Sequence, residues 1–349
     1  MTYLMLIWLF LIIIGIAQKD SKFWAIVILT FAWILVGWNY ESPDMENYVW
    51  KYEASDTWFG AFFGTGSVEP GYSFLCYLGN KLGLSFMQFK QIVSAISYVL
   101  ILSFIFSVGC NYTLVAACYL ASIFVIDVVQ IRNFFAMAVF LFGFRYLLKP
   151  LMKPTDVAKY IVCALIASSI HISMVLSFLF LLSKKSIKLW HVIVLVVAAF
   201  LMKATIFGFF TNTLDSDKVG RYEGLSSILG GVANTVVFCT SASVIMWAYK
   251  KQIKRKSLSS FLYDSLALKN SNLLLLVVIP FLFDNGSYSR LLKDVLIANY
   301  AYLSFVLRGK EKFILYGYVL FFLLYYVFLD ENRLMIFDAV FKYNDFFGS

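Results

Sequence analysis

A chain of 349 residues that is 61% hydrophobic, 19% aromatic and 14% charged is not a soluble domain, since soluble domains carry about a quarter charged residues. The net charge of +9 does not point to nucleic acid, because the basic residues sit in short loops between apolar runs, as positive-inside membrane topology requires. The five cysteines, Cys76, Cys110, Cys118, Cys163 and Cys239, are scattered and odd in number, so they read as packing residues, with neither disulfide nor metal spacing.

In chain order, the first apolar run, 2–17, lacks a basic leading segment and a small-residue cleavage site, and is expected to be a retained helix. Further runs follow at 23–38, 91–108, 112–127, 133–148, 157–170, 172–183, 190–207, 229–249, 271–284, 294–307 and 313–329. Each is long enough, or nearly so, to cross a bilayer core of about 30 Å. No intervening stretch suffices for a soluble domain. The expectation is one integral membrane domain, 1–349, all-α and polytopic, with about twelve transmembrane or re-entrant helices.

Basic loops lie at Lys19/Lys22, Lys149/Lys153/Lys159, Lys184/Lys185/Lys188, 250–256 and Arg308/Lys310/Lys312. Placing all of them in the cytoplasm puts both termini outside. The acidic loop 39–68 and the loop 211–227 are then external, so outer segments 39–90 and 207–228 are expected to contribute to any site. Two stretches depart from simple alternation. Pro70–Leu84 is short and polar and reads as an outer interfacial or re-entrant helix. The run 157–183 has basic residues at both ends, so it is expected to turn near 168–173 as a hairpin with His171 at its outward apex. The tail 330–349 suits an amphipathic stretch on the outer leaflet.

Ionisable residues near the ends of membrane helices are costly to bury, which marks them as candidate functional groups. On this topology Asp44, Glu69, Asp127, Arg132, His171, Arg221, Asp284 and Arg290 converge on one side. Arg132 opens a helix, where a planar guanidinium and the helix N-terminus both suit a phosphate; the alternative is a snorkelling anchor. Arg290 follows the polar break 284–289, and its alternative role is an ion pair with Asp284 or Asp294. Two arginines on separate helices suit a diphosphate, each neutralising one phosphate. His171 suits proton transfer or phosphate binding, or is a satisfied hydrogen-bonding residue. Glu69, before Pro70, and Asp44 each read as a helix cap or as a general base. Asp215-Ser216-Asp217 has the look of a metal pair from nucleotide-sugar transferases, but such donors are cytoplasmic and this loop is expected outside. Its neighbours Lys218, Arg221, Tyr222 and Glu223 fit sugar or phosphate instead.

Taken in order, Asp44…Tyr48, Glu69-Pro70-Gly71-Tyr72, Ile131-Arg132-Asn133…Ala136-Met137-Ala138, Ile170-His171-Ile172-Ser173, Lys218…Tyr222 and Ser289-Arg290-Leu291 resemble the Wzy-type polysaccharide polymerases, in the EpsG-like branch, over roughly residues 30–310. Asn133 departs from that pattern, standing where the branch commonly has glutamine. The resemblance implies a fold like that of polytopic GT-C glycosyltransferases, with short outer interfacial helices. It implies joining of O-antigen, capsule or exopolysaccharide repeat units on undecaprenyl diphosphate, at the outer face of the bacterial cytoplasmic membrane. Arg132, Arg290 and His171 would hold the donor diphosphate without a metal or other cofactor. Glu69, in preference to Asp44, would be the base, with His171 as a second phosphate ligand or the base itself. Tyr48, Tyr72, Arg221 and Tyr222 would meet the sugars. The implied partners are lipid-linked oligosaccharides, membrane lipid, a chain-length regulator and a flippase. A lipid-oligosaccharide flippase or transporter and an O-antigen ligase are the competing functions.

Overall fold

The computed structural model describes residues 2–64, 69–109, 111–213, 228–255, 264–284, 286–328 and 331–347. Helices α1 (Thr2–Ala17) and α2 (Lys22–Gly37) pair first, with the Ser21 hydroxyl capping α2 by accepting from the Trp24 amide at 3.3 Å. Short helices α3 (Met45–Glu53) and α4 (Pro70–Lys81), with a π-helical turn at Gly60–Gly64 between them, lead to α5 (Phe86–Val108). Helix α5 begins five residues before its apolar run, because Ser85 and Gln88 close a reciprocal capping box that admits a polar first turn. It ends at Gly109, whose φ of 87° is open to glycine without strain.

The run 112–127 is not one helix. It breaks at Ile123 into α6 (Tyr112–Ser122) and α7 (Phe124–Val129), and Gln130, at φ −110° and ψ 59°, separates α7 from α8 (Ile131–Leu147). Helix α9 (Pro154–Ile170) is followed by a 3-10 helix, Ile172–Lys184. The two form the expected hairpin: the Tyr160 hydroxyl donates to the Ser177 carbonyl at 2.6 Å, and the Lys184 ammonium returns to the Lys149 carbonyl. Then come α10 (Leu189–Thr213), α11 (Ile228–Lys254), α12 (Ser265–Leu274), which runs through a 3-10 turn into α13 (Ile279–Leu282), α14 (Arg290–Val306), α15 (Lys312–Val327) and α16 (Glu331–Lys342). Among the described residues every regular element is helical, apart from one isolated bridge between Asn39 and Asn344.

Among the described residues, three helices are long and apolar enough to cross a membrane by themselves: Phe86–Ser107, Ile228–Lys254 and Ser265–Leu282. Five others, Tyr3–Ala17, Lys22–Gly37, Tyr112–Ser122, Ile172–Lys184 and Leu189–Lys203, are apolar but shorter. The protein is an integral membrane protein; twelve full crossings exceed what helix length alone establishes. The basic loops gather at one end. The Lys19 carbonyl meets the Leu114 amide, Asn111 reaches the Ser304 carbonyl, Arg255 reaches the Val306 carbonyl and Glu311, and Lys184 meets Asp264.

Two polar clusters lie inside the bundle. Lys293 donates to Asp127 at 2.5 Å with both side chains fully buried, and the Tyr119 hydroxyl donates to the same carboxylate at 2.8 Å. Asp127 therefore belongs to this closed pair and not to the outer site expected of it. Asn272 and Asn299 exchange amide hydrogen bonds of 2.8 and 2.9 Å, joined by Ser241 and the Tyr318 hydroxyl. The tail also differs from expectation. Phe337, Val340 and Phe341 of α16 are buried against the bundle, with Trp8 edge-on to both phenylalanines, so its apolar face covers protein.

Candidate functional site

At the end opposite the basic loops, Glu69 draws three separate segments together. Its Oε2 accepts from Arg132 Nη1 at 2.5 Å, while Oε1 lies 2.6 Å from His171 Nδ1 and 3.3 Å from the Ile172 amide. Local backbone makes this possible. Glu69 stands at the cap position of α4, yet its carboxylate makes no cap hydrogen bond and turns toward α8 and α9 instead. Arg132 is the second residue of α8, just after the irregular Gln130. His171 leaves α9 in extended conformation, φ −145° and ψ 120°, which swings its ring out of the helix.

The carboxylate is nearly closed off, its side chain 6% exposed, whereas Arg132 keeps 32% and His171 17%. Burial pushes the Glu69 carboxyl up, but the hydrogen bond with His171 and the Arg132 charge outweigh it and hold the group at about 2. A carboxyl depressed in this way stabilises the fold fully above its ordinary value near 4.5, and that contribution is lost as pH falls through about 2. Thermal unfolding followed across the acid range should show a decline between these limits, and Glu69→Gln should remove that part of the decline.

Aromatic rings floor the site. The Arg132 guanidinium lies 5.3 Å from the Tyr48 ring centre and 5.8 Å from that of Tyr72, and the two rings meet edge to face. Both tyrosines are buried and committed to the guanidinium, so stacking on a sugar, the role expected of them, requires the outer helices to part. Lys51, which the sequence did not single out, is buried with its ammonium 5.1 Å from the Tyr72 ring centre, and its charge acts on Glu69. The available signal was its position three residues after Tyr48, on the same face of α3.

Arg290 opens α14, half-buried, and among the described residues it makes no hydrogen bond or ion pair. Its charge and that of Arg132 both act on Tyr48, and it is Arg132 whose guanidinium lies against the ring. Neither suggested acidic partner holds Arg290. Asp284 pairs with Lys203 at 2.5 Å, and Asp294 has both oxygens unpartnered. Asp44 caps no amide and is half-buried beside Tyr48, with no ion pair among the described residues. Arg221 and Tyr222, with Asp215, Asp217, Lys218 and Glu223, lie outside the described residues.

The docking of α4 on the end of α9 sets the distance from Glu69 to His171. It depends on Gly71, where an added Cβ would lie 2.3 Å from the Ser169 hydroxyl and 2.9 Å from its carbonyl carbon. Gly71→Ala should therefore push α4 off α9 and destabilise the protein by about 1–3 kcal/mol. A fall in thermal stability with a parallel fall in activity is the expected outcome; unchanged values for both would show that the two helices have room to spare.

No curated protein and no solved structure matches the chain. The model of the EpsG family matches residues 22–344, a span that takes in the Glu69 cluster, the aromatic floor and Arg290. Nearly the whole chain is covered, and the protein belongs to the EpsG family.

Proposed function

We propose that this protein is a glycosyltransferase-type polymerase that joins undecaprenyl-diphosphate-linked oligosaccharide repeat units at the outer face of the cytoplasmic membrane. Membership of the EpsG family supports a polysaccharide polymerase. The observation that carries the chemical reading is the clamp in which one carboxylate holds an arginine and a histidine from different helices; a second arginine, Arg290, opens another helix and makes no hydrogen bond or ion pair among the described residues.

In this reading Arg132 and Arg290 grip the donor diphosphate. As the bond from the sugar C1 to the phosphate oxygen breaks, negative charge grows on that oxygen, and preorganised guanidinium groups stabilise it there. The acceptor hydroxyl forms the new bond to C1 and loses its proton. Glu69 fits poorly as the group that takes it, because both oxygens are engaged and a carboxyl held at about 2 has little affinity for a proton. The geometry favours His171. A carboxylate on Nδ1 fixes the ring with its proton on that nitrogen and leaves the Nε2 lone pair for the acceptor, the arrangement by which carboxylates orient catalytic histidines elsewhere. Glu69 then positions two groups at once, and Asp44 stays an alternative acceptor of the proton.

Purified protein in lipid, given only one lipid-linked repeat unit, should produce a ladder of longer chains. Product that appears only after a different acceptor is supplied would mean a ligase. Movement of the substrate across the bilayer with no new glycosidic bond would mean a flippase.

A further inference from the structure

Arg145, in the last turn of α8, is half-buried and makes no ion pair among the described residues. Its guanidinium lies 3.8 Å from the Phe142 ring centre and 4.8 Å from that of Tyr146. It donates to the Ser103 hydroxyl at 2.7 Å and to the Tyr146 hydroxyl at 2.9 Å, and its buried Nε has no partner. The Lys149 and Lys159 ammonium groups each stand 5.3 Å from the centre of the same Tyr146 ring. Three cations therefore converge on one aromatic ring, whose face attracts each of them but leaves their mutual repulsion unanswered. One oxygen of Asp156 accepts from Lys149 at 2.7 Å and the other from the Lys153 amide at 3.1 Å. Asp264 is held by Lys184 at 2.9 Å and by the first amides of α12. Neither carboxylate has an oxygen left for Arg145 or Lys159. Positive-inside topology asks for basic residues in loops; it does not ask for a guanidinium fixed between two rings inside a helix.

A phosphate anion answers that excess of charge. An anionic oxygen is a stronger partner for Arg145 than the two neutral hydroxyls it now meets. The Tyr146 hydroxyl accepts from Arg145, so its own proton is left to donate, and Lys159 is exposed, with no hydrogen bond or ion pair among the described residues. The surface beyond the cluster is apolar. Val162 and Ile166, one and two turns along α9 from Lys159 on the same face, are 54% and 47% exposed. A free phosphate would make no use of that strip, whereas a phosphodiester at Lys159 would lay its acyl chains along it. We propose that Arg145, Tyr146 and Lys159 form the headgroup site of one anionic phospholipid, in the leaflet at the basic end of the bundle. Basic pockets between membrane helices at that level suit such headgroups. The bound lipid ties α8 to α9, the two helices that lead to Arg132 and His171 at the opposite end.

The test is a titration of the full-length protein in detergent with phosphatidylglycerol, and separately with phosphatidylcholine of the same chains, the bound lipid being counted by native mass spectrometry. Phosphatidylglycerol should be retained in preference. Lys159→Ala and Arg145→Ala should each weaken it about five-fold, the worth of one basic residue near an anionic headgroup, while Lys159→Arg keeps it. Lys159 is exposed, so its variants remain informative should Arg145→Ala not give folded protein. Lys310→Ala, an exposed lysine on another loop at the same end, should leave retention unchanged. Equal retention of the two lipids would overturn the proposal. A loss from Lys310→Ala as large as that from Lys159→Ala would also overturn it, since diffuse basic charge would then suffice. Inorganic phosphate that displaces phosphatidylglycerol at equal concentration would make the ligand a free anion and overturn the assignment to lipid.

Discussion

Arg132→Ala is expected to abolish chain extension, with single repeat units still reaching the outer face. Loss of one preorganised donor from a developing negative charge slows catalysis by about 10²–10³-fold. Here the loss should be greater, because the substitution also releases Glu69, whose carboxylate is then left with His171 and the Ile172 amide. Arg132→Lys should recover little, since an ammonium offers neither the planar fork nor the flat face that rests on Tyr48 and Tyr72. Polysaccharide length on gels, with the surface level of lipid-linked repeat unit measured in parallel, checks both variants. Normal chains from Arg132→Ala would remove the clamp from the chemistry.

Lys293→Met is expected to be the most damaging single change to the fold. Both members of the Lys293–Asp127 pair are fully buried, and the substitution leaves Asp127, among the described residues, with the Tyr119 hydroxyl to meet it. Breaking a buried pair from one side costs about 3–5 kcal/mol, whereas replacing both members with well-packed apolar residues is often neutral. The double variant Asp127→Leu/Lys293→Met should therefore recover most of the stability lost by Lys293→Met alone. Thermal unfolding in detergent decides it. Equal damage in the single and double variants would show that the pair contributes a geometry that apolar residues cannot replace.

The pair also shows where the sequence stopped being legible. Depth along the membrane was readable from runs and loop charges: the hairpin across 157–183 with His171 near its turn came from two basic clusters and a length. Azimuth was not. Whether Asp127 faces the outer site or the bundle interior depends on a partner 166 residues away. The break at Ile123 carried no proline or glycine to announce it. Glu69 was recognisable as exceptional by its place before Pro70. Its release from capping, in favour of residues 63 and 102 positions onward, depends on how α4 docks on α8 and α9. Lys51 passed unnoticed in an aromatic helix because its burial comes from Tyr72, on a different element. The tail read correctly as amphipathic, but periodicity does not say whether an apolar face meets lipid or, as here, Trp8 and Phe124.

A structure of the protein with undecaprenyl diphosphate bound would show directly which side chains hold the two phosphates. Phosphate oxygens are expected within hydrogen-bond distance of both Arg132 and Arg290, with His171 Nε2 open toward the space from which an acceptor hydroxyl would reach the sugar C1. A diphosphate seated elsewhere, or either guanidinium turned to lipid or to the basic end of the bundle, would contradict that arrangement.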